Sequence, residues 1–297
     1  MNRHSAQRHR VNRVVNHAYQ NLAGPLDLDR LAEVACLSKY HFIRVFTAHQ
    51  RESPVQFLWR LRLERAARSL VIRRDTPITD IALDCGFSCS QTFSRAFRRR
   101  FDLAPRALRA PERRPFDGLV PSPQGAVSDK RLRSRWEQSP LRIEARPAQR
   151  LAYVRNLGLY WNVDGAISEA YRRLVRWARH RGLWAGATEM IGLCPDNAAV
   201  TPAGYCLYDA CLPVSDEIGE DDVVSIQTIP AGRYAVLSVR ATPTEMESAW
   251  KWLTLTWSRH SDLPCELVQS FERFPVVGGR TCGPEEQGEL WLRLKSA

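Results

Sequence analysis

The stretch 78–105, "ITDIALDCGFSCSQTFSRAFRRRFDLAP", decides how the first third of the chain is expected to fold. Phe93, Ala96 and Phe97 recur at i, i+3 and i+4, which is the spacing of one buried helix face. Gly86 suits a tight turn before that helix, because glycine adopts a positive φ at little steric cost. The stretch therefore predicts two short helices joined by a turn, with the arginines of the second helix facing outward.

A second copy of this pattern lies at residues 28–46, "LDRLAEVACLSKYHFIRVF". Leu31-Ala32 and Ile81-Ala82 open the two copies, 50 residues apart. Four further residues recur 51 apart: Phe42, Arg44, Phe46 and Pro54 match Phe93, Arg95, Phe97 and Pro105. The first copy must make its turn at Cys36-Leu37 without a glycine. Two helix-turn-helix units are predicted, each presenting its second helix outward while the first helix braces it.

The outward faces of the two second helices carry the candidate DNA-reading residues. They are Lys39, Tyr40, Ile43 and Arg44 in the first unit, and Gln91, Thr92, Arg95, Arg98 and Arg99 in the second. Arginine and glutamine suit bidentate contacts with guanine and adenine edges, and additional arginines suit phosphates. The alternative for Arg44 and Arg95 is a solvated charge without a ligand.

Charge is distributed unevenly along the chain. Residues 1–115 hold 22 Lys+Arg against 10 Asp+Glu, whereas the remainder holds 21 against 22, within a total net charge of +11. A concentration of positive charge in one region is typical of a surface that meets a polyanion. Double-stranded DNA is therefore the favoured partner of the first region, and a solvated basic surface is the alternative.

Residues 8–110 resemble the DNA-binding domain of the AraC/XylS family, in its MarA/Rob-like form, on the two stretches quoted above. The resemblance implies two helix-turn-helix units joined by a long helix at about residues 54–73. It places DNA recognition at Tyr40, Ile43 and Arg44 in the first unit and at Gln91, Thr92 and Arg95 in the second. Arg51 and Asp102 stand where the family usually has glycine. The implied function is that of a transcription regulator, for example an activator. Such a regulator would bind a bipartite DNA site.

Composition divides the chain into domains at residues 1–110 and 141–297, with a linker at 111–140. Residues 110–140 carry five prolines and two glycines without sustained periodicity, apart from a short predicted helix near 130–137. The second domain repeats "PAQRLAYVRNLG" (147–158) as "PAGRYAVLSVRA" (230–241), 83 residues apart. Each copy is a strand leading to an amphipathic helix. The predicted fold class is multidomain, an all-α double helix-turn-helix followed by an α+β domain of two similar strand-helix modules.

The second domain resembles the GyrI-like small-molecule-binding family over residues 141–297, on "PAQRLAYVRNLGLYW", "YCLYDACLPV" and "SFERF". The resemblance implies an aromatic effector pocket with an acidic residue inside, which falls at Glu272. Trp161, Tyr171 and Trp250 are the candidate aromatic residues. A carboxylate among aromatic rings would favour a cationic or apolar aromatic effector. The alternatives are core packing for the aromatics and, for Glu272, a surface position paired with Arg273 or Arg280.

Two other functions remain open for the second domain. Glu272 with Tyr171 could serve a hydrolase as general base and orienting group, or the domain could dock a protein such as RNA polymerase. We expect a sensor rather than an enzyme, because the domain is tethered to a DNA-binding module. No cofactor or metal is expected, since the cysteine pairs 85/89 and 206/211 lack histidines at ligand spacing. The apolar runs are too short to span a membrane. Eight cysteines without a signal-peptide pattern predict reduced, mostly buried thiols and a cytoplasmic protein.

Overall fold

The computed structural model describes residues 2–110, 130–158, 165–197, 199–261, 263–266, 270–281 and 285–295. The chain divides into two compact units. The first comprises residues 1–121 and 198–202, and the second comprises residues 122–197 and 203–297. Among the described residues, no helix combines the length and the apolar character needed to cross a bilayer.

The first unit is helical. Its elements are α1 (Arg3–Gln20), α2 (Leu28–Ala35), α3 (Lys39–Gln50), α4 (Pro54–Ile72), α5 (Ile78–Asp84), α6 (Ser90–Phe101) and α7 (Pro105–Leu108). The pairs α2/α3 and α5/α6 are the two predicted helix-turn-helix units, and α4 is the predicted long connecting helix. Ser53 begins α4 in a capping box with Gln56, and Pro54 occupies the first turn.

Aromatic side chains hold the second helix of each unit against the helical core. Phe42 and Phe46 of α3 are fully buried, and the Phe46 ring lies 5.2 Å from that of Phe57 on α4. On α6, the rings of Phe93 and Phe97 are 5.4 Å apart and both are fully buried. Because phenylalanines fix the inner face of each helix, its polar face is left toward solvent.

The second unit contains helices and strands in alternation. Its helical elements are α8 (Lys130–Glu137), α9 (Ala166–His180), α10 (Pro243–Lys251), a π-helix (Trp252–Trp257), α11 (Ser258–His260) and 3-10 turns at Trp184–Gly186 and Ala203–Tyr205. Its strands are β1 (Leu141–Arg146), β2 (Gln149–Leu157), β3 (Glu189–Leu193), β4 (Leu207–Pro213), β5 (Ser225–Ile229), β6 (Gly232–Val239), β7 (Phe271–Val277), β8 (Arg280–Thr281) and β9 (Gly288–Arg293). The two repeated sequences correspond to β2 before α9 and β6 before α10, as predicted.

The strands form one antiparallel sheet in the order β1-β6-β9-β7-β3-β4-β2-β5, with β8 paired to β7. One face packs its apolar side chains against α9, α10 and the π-helix in the larger core cluster. The other face buries a second cluster that joins Ile229 of the edge strand β5 to Tyr234 of β6 and Trp291 of β9. Strands far apart in the sheet order share this cluster, so the sheet is curled.

Helix α8 lies within the stretch that composition assigns to the linker, and its helical form is as predicted. Trp136 of this helix is 1% exposed and belongs to the core of the second unit. Its indole nitrogen donates to Ser248 Oγ at 3.1 Å, on α10. The core of the second unit therefore extends to residue 136.

The described cysteines are all free thiols, and Cys282 lies outside the described residues. Cys85, Cys206 and Cys211 are buried, but Cys194 and Cys265 are only half-buried, so the prediction of mostly buried thiols is wrong for the described cysteines. Cys36 and Cys89 are exposed instead, because each lies in the turn of a helix-turn-helix unit rather than on a buried helix face.

Candidate DNA-reading helices and effector site

The outer face of α6 presents a continuous polar surface. Its predicted reading residues Gln91, Thr92, Arg95, Arg98 and Arg99 are all exposed. The N-cap residue Cys89 contacts Thr92 through Sγ and Oγ1 at 3.2 Å, which holds the hydroxyl near the start of the helix. Side chains in the first turn and along one face of such a helix have the reach to contact base edges, whereas those in its last turn suit phosphates.

The outer face of α3 differs in chemistry from that of α6. Tyr40 is 89% exposed, Ile43 is half-buried, and Arg44 is exposed with its guanidinium 3.1 Å from His41 Nδ1. Lys39 is exposed and lies 2.6 Å from Asp29 on α2. That carboxylate raises the pKa of Lys39 through a hydrogen bond and its charge, so the ammonium remains protonated.

Three residues other than glycine adopt the left-handed conformation in the described chain. They are Cys36 (φ 51°), Arg51 (φ 61°) and Asp102 (φ 51°), each at the C-terminal end of a helix. Arg51 and Asp102 follow the two outward helices, so these turns form the geometry that glycine would supply. Gly86 makes its turn at φ 82°, where an added Cβ would lie 2.7 Å from the Leu22 carbonyl oxygen. The predicted role of Gly86 is confirmed.

Glu272 lies on β7, on the face of the sheet that packs against the helices. It is 9% exposed and accepts two hydrogen bonds from neutral donors: Trp250 Nε1 to Oε1 at 2.9 Å and Tyr208 Oη to Oε2 at 3.0 Å. Tyr171 of α9 extends this chain, because its hydroxyl lies 3.0 Å from that of Tyr208. We call Glu272, Trp250, Tyr208 and Tyr171 the carboxylate cluster. Burial raises the pKa of Glu272 above its ordinary value, although both hydrogen bonds oppose that shift.

Gly192 makes room for the carboxylate cluster. It pairs with Glu272 across β3 and β7, and the Tyr208 ring occupies the space beside it. A Cβ at this position would lie 2.0 Å from the Tyr208 hydroxyl and 3.0 Å from that of Tyr171. The two tyrosines can therefore approach the carboxylate only because residue 192 has no side chain.

The structure brings together three of the four residues predicted for the effector site. Trp250 contacts Glu272 directly, Tyr171 reaches it through Tyr208, and Trp161 lies outside the described residues. The alternative of a surface glutamate is wrong, since Glu272 is buried. Arg273 instead pairs with Glu189 and Glu289, and Arg280 pairs with Glu286.

Tyr208 and Gly192 also belong to the site, although neither is among the residues predicted from the sequence. Alternation along "YCLYDACLPV" (205–214) places Tyr208 on the same face as Ala210 and Leu212, both of which are buried against the helices. That alternation could have identified Tyr208 as an inward-facing tyrosine. Gly192 carries no comparable signal, because its role depends on the ring of a residue in the neighbouring strand.

Comparisons with known proteins agree with both halves of the chain. Residues 31–111 match the family described as "Helix-turn-helix domain" of the AraC type, and residues 139–294 match "GyrI-like small molecule binding domain". The regulatory protein SoxS of Escherichia coli (strain K12) is 36% identical over 86 residues, which is 29% of this chain and 79% of SoxS. The probable transcriptional regulator LumQ of Photobacterium leiognathi is 34% identical over 98 residues, covering 32% of this chain.

The chain spans only 39% of the length of LumQ. Among solved structures, a transcriptional regulator from Chromobacterium violaceum with an AraC-type DNA-binding domain is 30% identical, at a TM-score of 0.32. That match covers 35% of this chain and 95% of the other. The helix-turn-helix match, at residues 31–111, includes both outward helices. The GyrI-like match, at residues 139–294, includes the carboxylate cluster. The chain belongs to the AraC-type family of helix-turn-helix transcriptional regulators and carries a GyrI-like small-molecule-binding domain.

Proposed function

We propose that this regulator reads a bipartite DNA site with both outward helices and responds to a small cationic or apolar aromatic effector held at Glu272. The observation that carries the DNA half of this proposal is the exposure of Gln91, Thr92 and Arg95 on α6 together with Tyr40 and Arg44 on α3. Two such helices in one chain can enter successive major-groove segments about 34 Å apart on one face of DNA. A single chain would then read what a simpler repressor reads as a dimer.

The basic side chains of the first unit supply the sequence-independent part of this binding. Arg98 and Arg99 lie in the last turn of α6 and are exposed. Each arginine that neutralises a phosphate releases counterions, so affinity falls as salt rises. We assign these two side chains to phosphates and Arg95 to a base edge, because Arg95 lies nearer the start of the helix.

Glu272 supports the effector half of the proposal. Among the described residues, its two hydrogen-bond donors are neutral groups, the Trp250 indole and the Tyr208 hydroxyl, so neither of them balances a negative charge. A buried carboxylate without a paired cation is unfavourable, and a cationic ligand would relieve that cost. The nearby aromatic rings of Trp250, Tyr171 and Tyr208 add apolar area and cation–π attraction.

We propose sensing rather than turnover, and a cytoplasmic protein that acts with RNA polymerase at its promoters. A thermal-shift screen of the wild-type protein and Glu272→Gln against cationic, neutral and anionic aromatic compounds tests the effector proposal. Cationic compounds should stabilise the wild type and lose that effect in the Gln variant, which keeps the size of the side chain but removes its charge. Recovery of each compound unchanged by mass spectrometry supports a sensor, whereas conversion to product supports the hydrolase. A screen without any binder would favour a docking domain for a protein partner.

The DNA half has its own test. Selection from random double-stranded oligonucleotides, followed by footprinting, should yield two protected segments one helical turn apart. A single protected segment, or binding without sequence preference, would contradict bipartite reading.

A further inference from the structure

A row of buried charges crosses the first unit along α4. Arg60 and Glu64 of α4 and Glu52, in the turn after α3, have side chains that are only 8%, 2% and 7% exposed. Arg100 on α6 lies at the end of this row, with a side chain that is 27% exposed. We call these four residues the α4 ion network. Charged groups rarely occupy such positions unless they are paired, because removing them from water is expensive.

One end of the network fixes the turn after α3. The Arg60 guanidinium donates hydrogen bonds to the Glu52 carboxylate from two nitrogens. Nη2 lies 2.6 Å from Oε1, and Nε lies 3.1 Å from Oε1 and 3.2 Å from Oε2. The residue before Glu52 is Arg51, which ends α3 in the left-handed conformation. A two-point contact to a planar guanidinium accepts a narrow range of orientations. The end of α3 is therefore held at one angle to α4.

The other end of the network reaches α6. Arg60 Nη1 contacts Glu64 Oε2 at 3.2 Å, and Glu64 Oε1 lies 4.0 Å from Arg100 Nη2 in the last turn of α6. Glu64 also accepts a hydrogen bond at 2.8 Å from Thr201, in the short segment that belongs to this unit. The network thus links α3 to α4 by hydrogen bonds and α6 to α4 by charge attraction at 4.0 Å, because Arg100 Nη2 has no hydrogen-bond partner among the described residues.

Burial of a charged network does not by itself indicate a large contribution to the free energy of unfolding. Replacing a buried ion network by apolar residues of similar volume is often neutral or stabilising, since the desolvation cost disappears with the charges. Apolar packing around α4 would hold α3 and α6 in place with less angular restriction. The hydrogen bonds of the charged groups, unlike apolar contacts, have preferred directions.

We infer that the α4 ion network is a positioning device that sets the distance and angle between the two outward helices, so that the protein selects one separation between its DNA half-sites. The inference rests on the proposed function, because it requires both helices to contact the same DNA. One added base pair moves the second half-site by about 3.4 Å and turns it by about 34°. A rigidly held pair of helices cannot follow that change.

The test measures binding as a function of half-site separation. Fluorescence anisotropy gives the Kd of the full-length protein for its selected site and for sites with one or two base pairs added or removed between the halves. The variants are Glu64→Gln and the combined Glu52→Gln, Arg60→Met and Glu64→Leu, which removes the buried charges together. Glu33→Gln is the control, since Glu33 forms an exposed pair with Arg30.

We expect the wild type and Glu33→Gln to lose about 100-fold in affinity when the separation changes by one or two base pairs, because one half-site loses its contacts. The Glu64→Gln and combined variants should lose less than about 10-fold. For each protein, the measured quantity is the ratio of its Kd for an altered separation to its Kd for the selected site. A variant that only lowers the fraction of folded protein changes both Kd values alike and leaves this ratio unchanged.

Folded variants, judged by circular dichroism, that keep the wild-type separation profile would overturn the inference. A wild type that binds its selected site specifically but tolerates every separation would overturn it as well, while leaving the regulator function intact. Loss of specific DNA binding by the wild type itself would instead remove the proposed function. If the combined variant does not fold, the Glu64→Gln profile decides.

Discussion

Replacing Gly192 with alanine tests whether the carboxylate cluster depends on the space beside that glycine. The new Cβ would lie 2.0 Å from the Tyr208 hydroxyl oxygen and 2.7 Å from its Cζ. Ordinary van der Waals contacts begin near 3.4 Å, so the ring must move by about 1.4 Å. A displacement of that size breaks the 3.0 Å hydrogen bond between Tyr208 and Glu272.

The expected loss of stability follows from two effects. Overpacking a closely filled site costs about 1–3 kcal/mol. A lost hydrogen bond to a buried polar group costs about 1–3 kcal/mol more. We therefore expect the free energy of unfolding to fall by about 2–6 kcal/mol in Gly192→Ala. Urea titration followed by tryptophan fluorescence measures this in the second unit, because eight of the nine tryptophans lie at residue 136 or beyond.

Two comparisons separate the proposed cause from a general effect of alanine. Gly204→Ala is the matched control: no atom lies within 4 Å of its Cβ position, so its stability should change by less than about 1 kcal/mol. Tyr208→Phe, made in the wild type and in Gly192→Ala, should cost less in the second background because the hydrogen bond is already broken. The reasoning would be refuted if Gly192→Ala had the same free energy of unfolding as the wild type. It would also be refuted if Tyr208→Phe lowered that free energy equally in both backgrounds.

Three further predictions concern DNA contacts and pH. Arg95→Ala should weaken specific binding by about 1–3 kcal/mol and relax preference at one base position, which binding to a panel of single-base variants measures. Arg98→Ala should weaken all sequences alike and reduce the salt slope by about one, which titrations at several salt concentrations measure. The raised pKa of Glu272 means that the folded protein holds this proton more tightly than the unfolded chain does. The stabilisation from this proton is present below the ordinary pKa of 4.5 and is lost as pH rises through the pKa of Glu272 in the folded protein. Glu272→Gln should therefore gain stability relative to wild type as pH rises above 4.5, which urea titrations at several pH values measure.

The helical unit could be predicted from the sequence because its signals are local. Ser53 and Pro54 mark the start of α4, and phenylalanines at helical spacing mark the inner faces of α3 and α6. These features depend on residues within a few turns of one another. The charge count over residues 1–115 could not separate buried arginines from those on a basic surface. Burial of Arg60 depends on Glu52 and Glu64 together, and only the packed unit reveals it.

The carboxylate cluster could be predicted only in part, because its members come from distant parts of the chain. Glu272 was identified through its family resemblance and Trp250 as one of several nearby aromatics. Tyr208 reaches the carboxylate because β3 pairs with β4 on one side and with β7 on the other. Sheet order and register follow from packing between remote segments, and no single segment of the sequence specifies them.

The pairing of β1 has a consequence for how the protein emerges from the ribosome. Leu141 of β1 aligns with Leu237 of β6, so this strand has no partner until the chain has grown by almost a hundred residues. The helices of residues 3–108 make mostly local contacts and can fold once these residues have emerged. The other segment of the first unit, residues 198–202, is made later. At about 5–20 residues per second, roughly 6–26 s separate the synthesis of residue 110 from that of residue 239. Each newly made molecule therefore carries its two helix-turn-helix units for several seconds before the strands of its second unit can all pair.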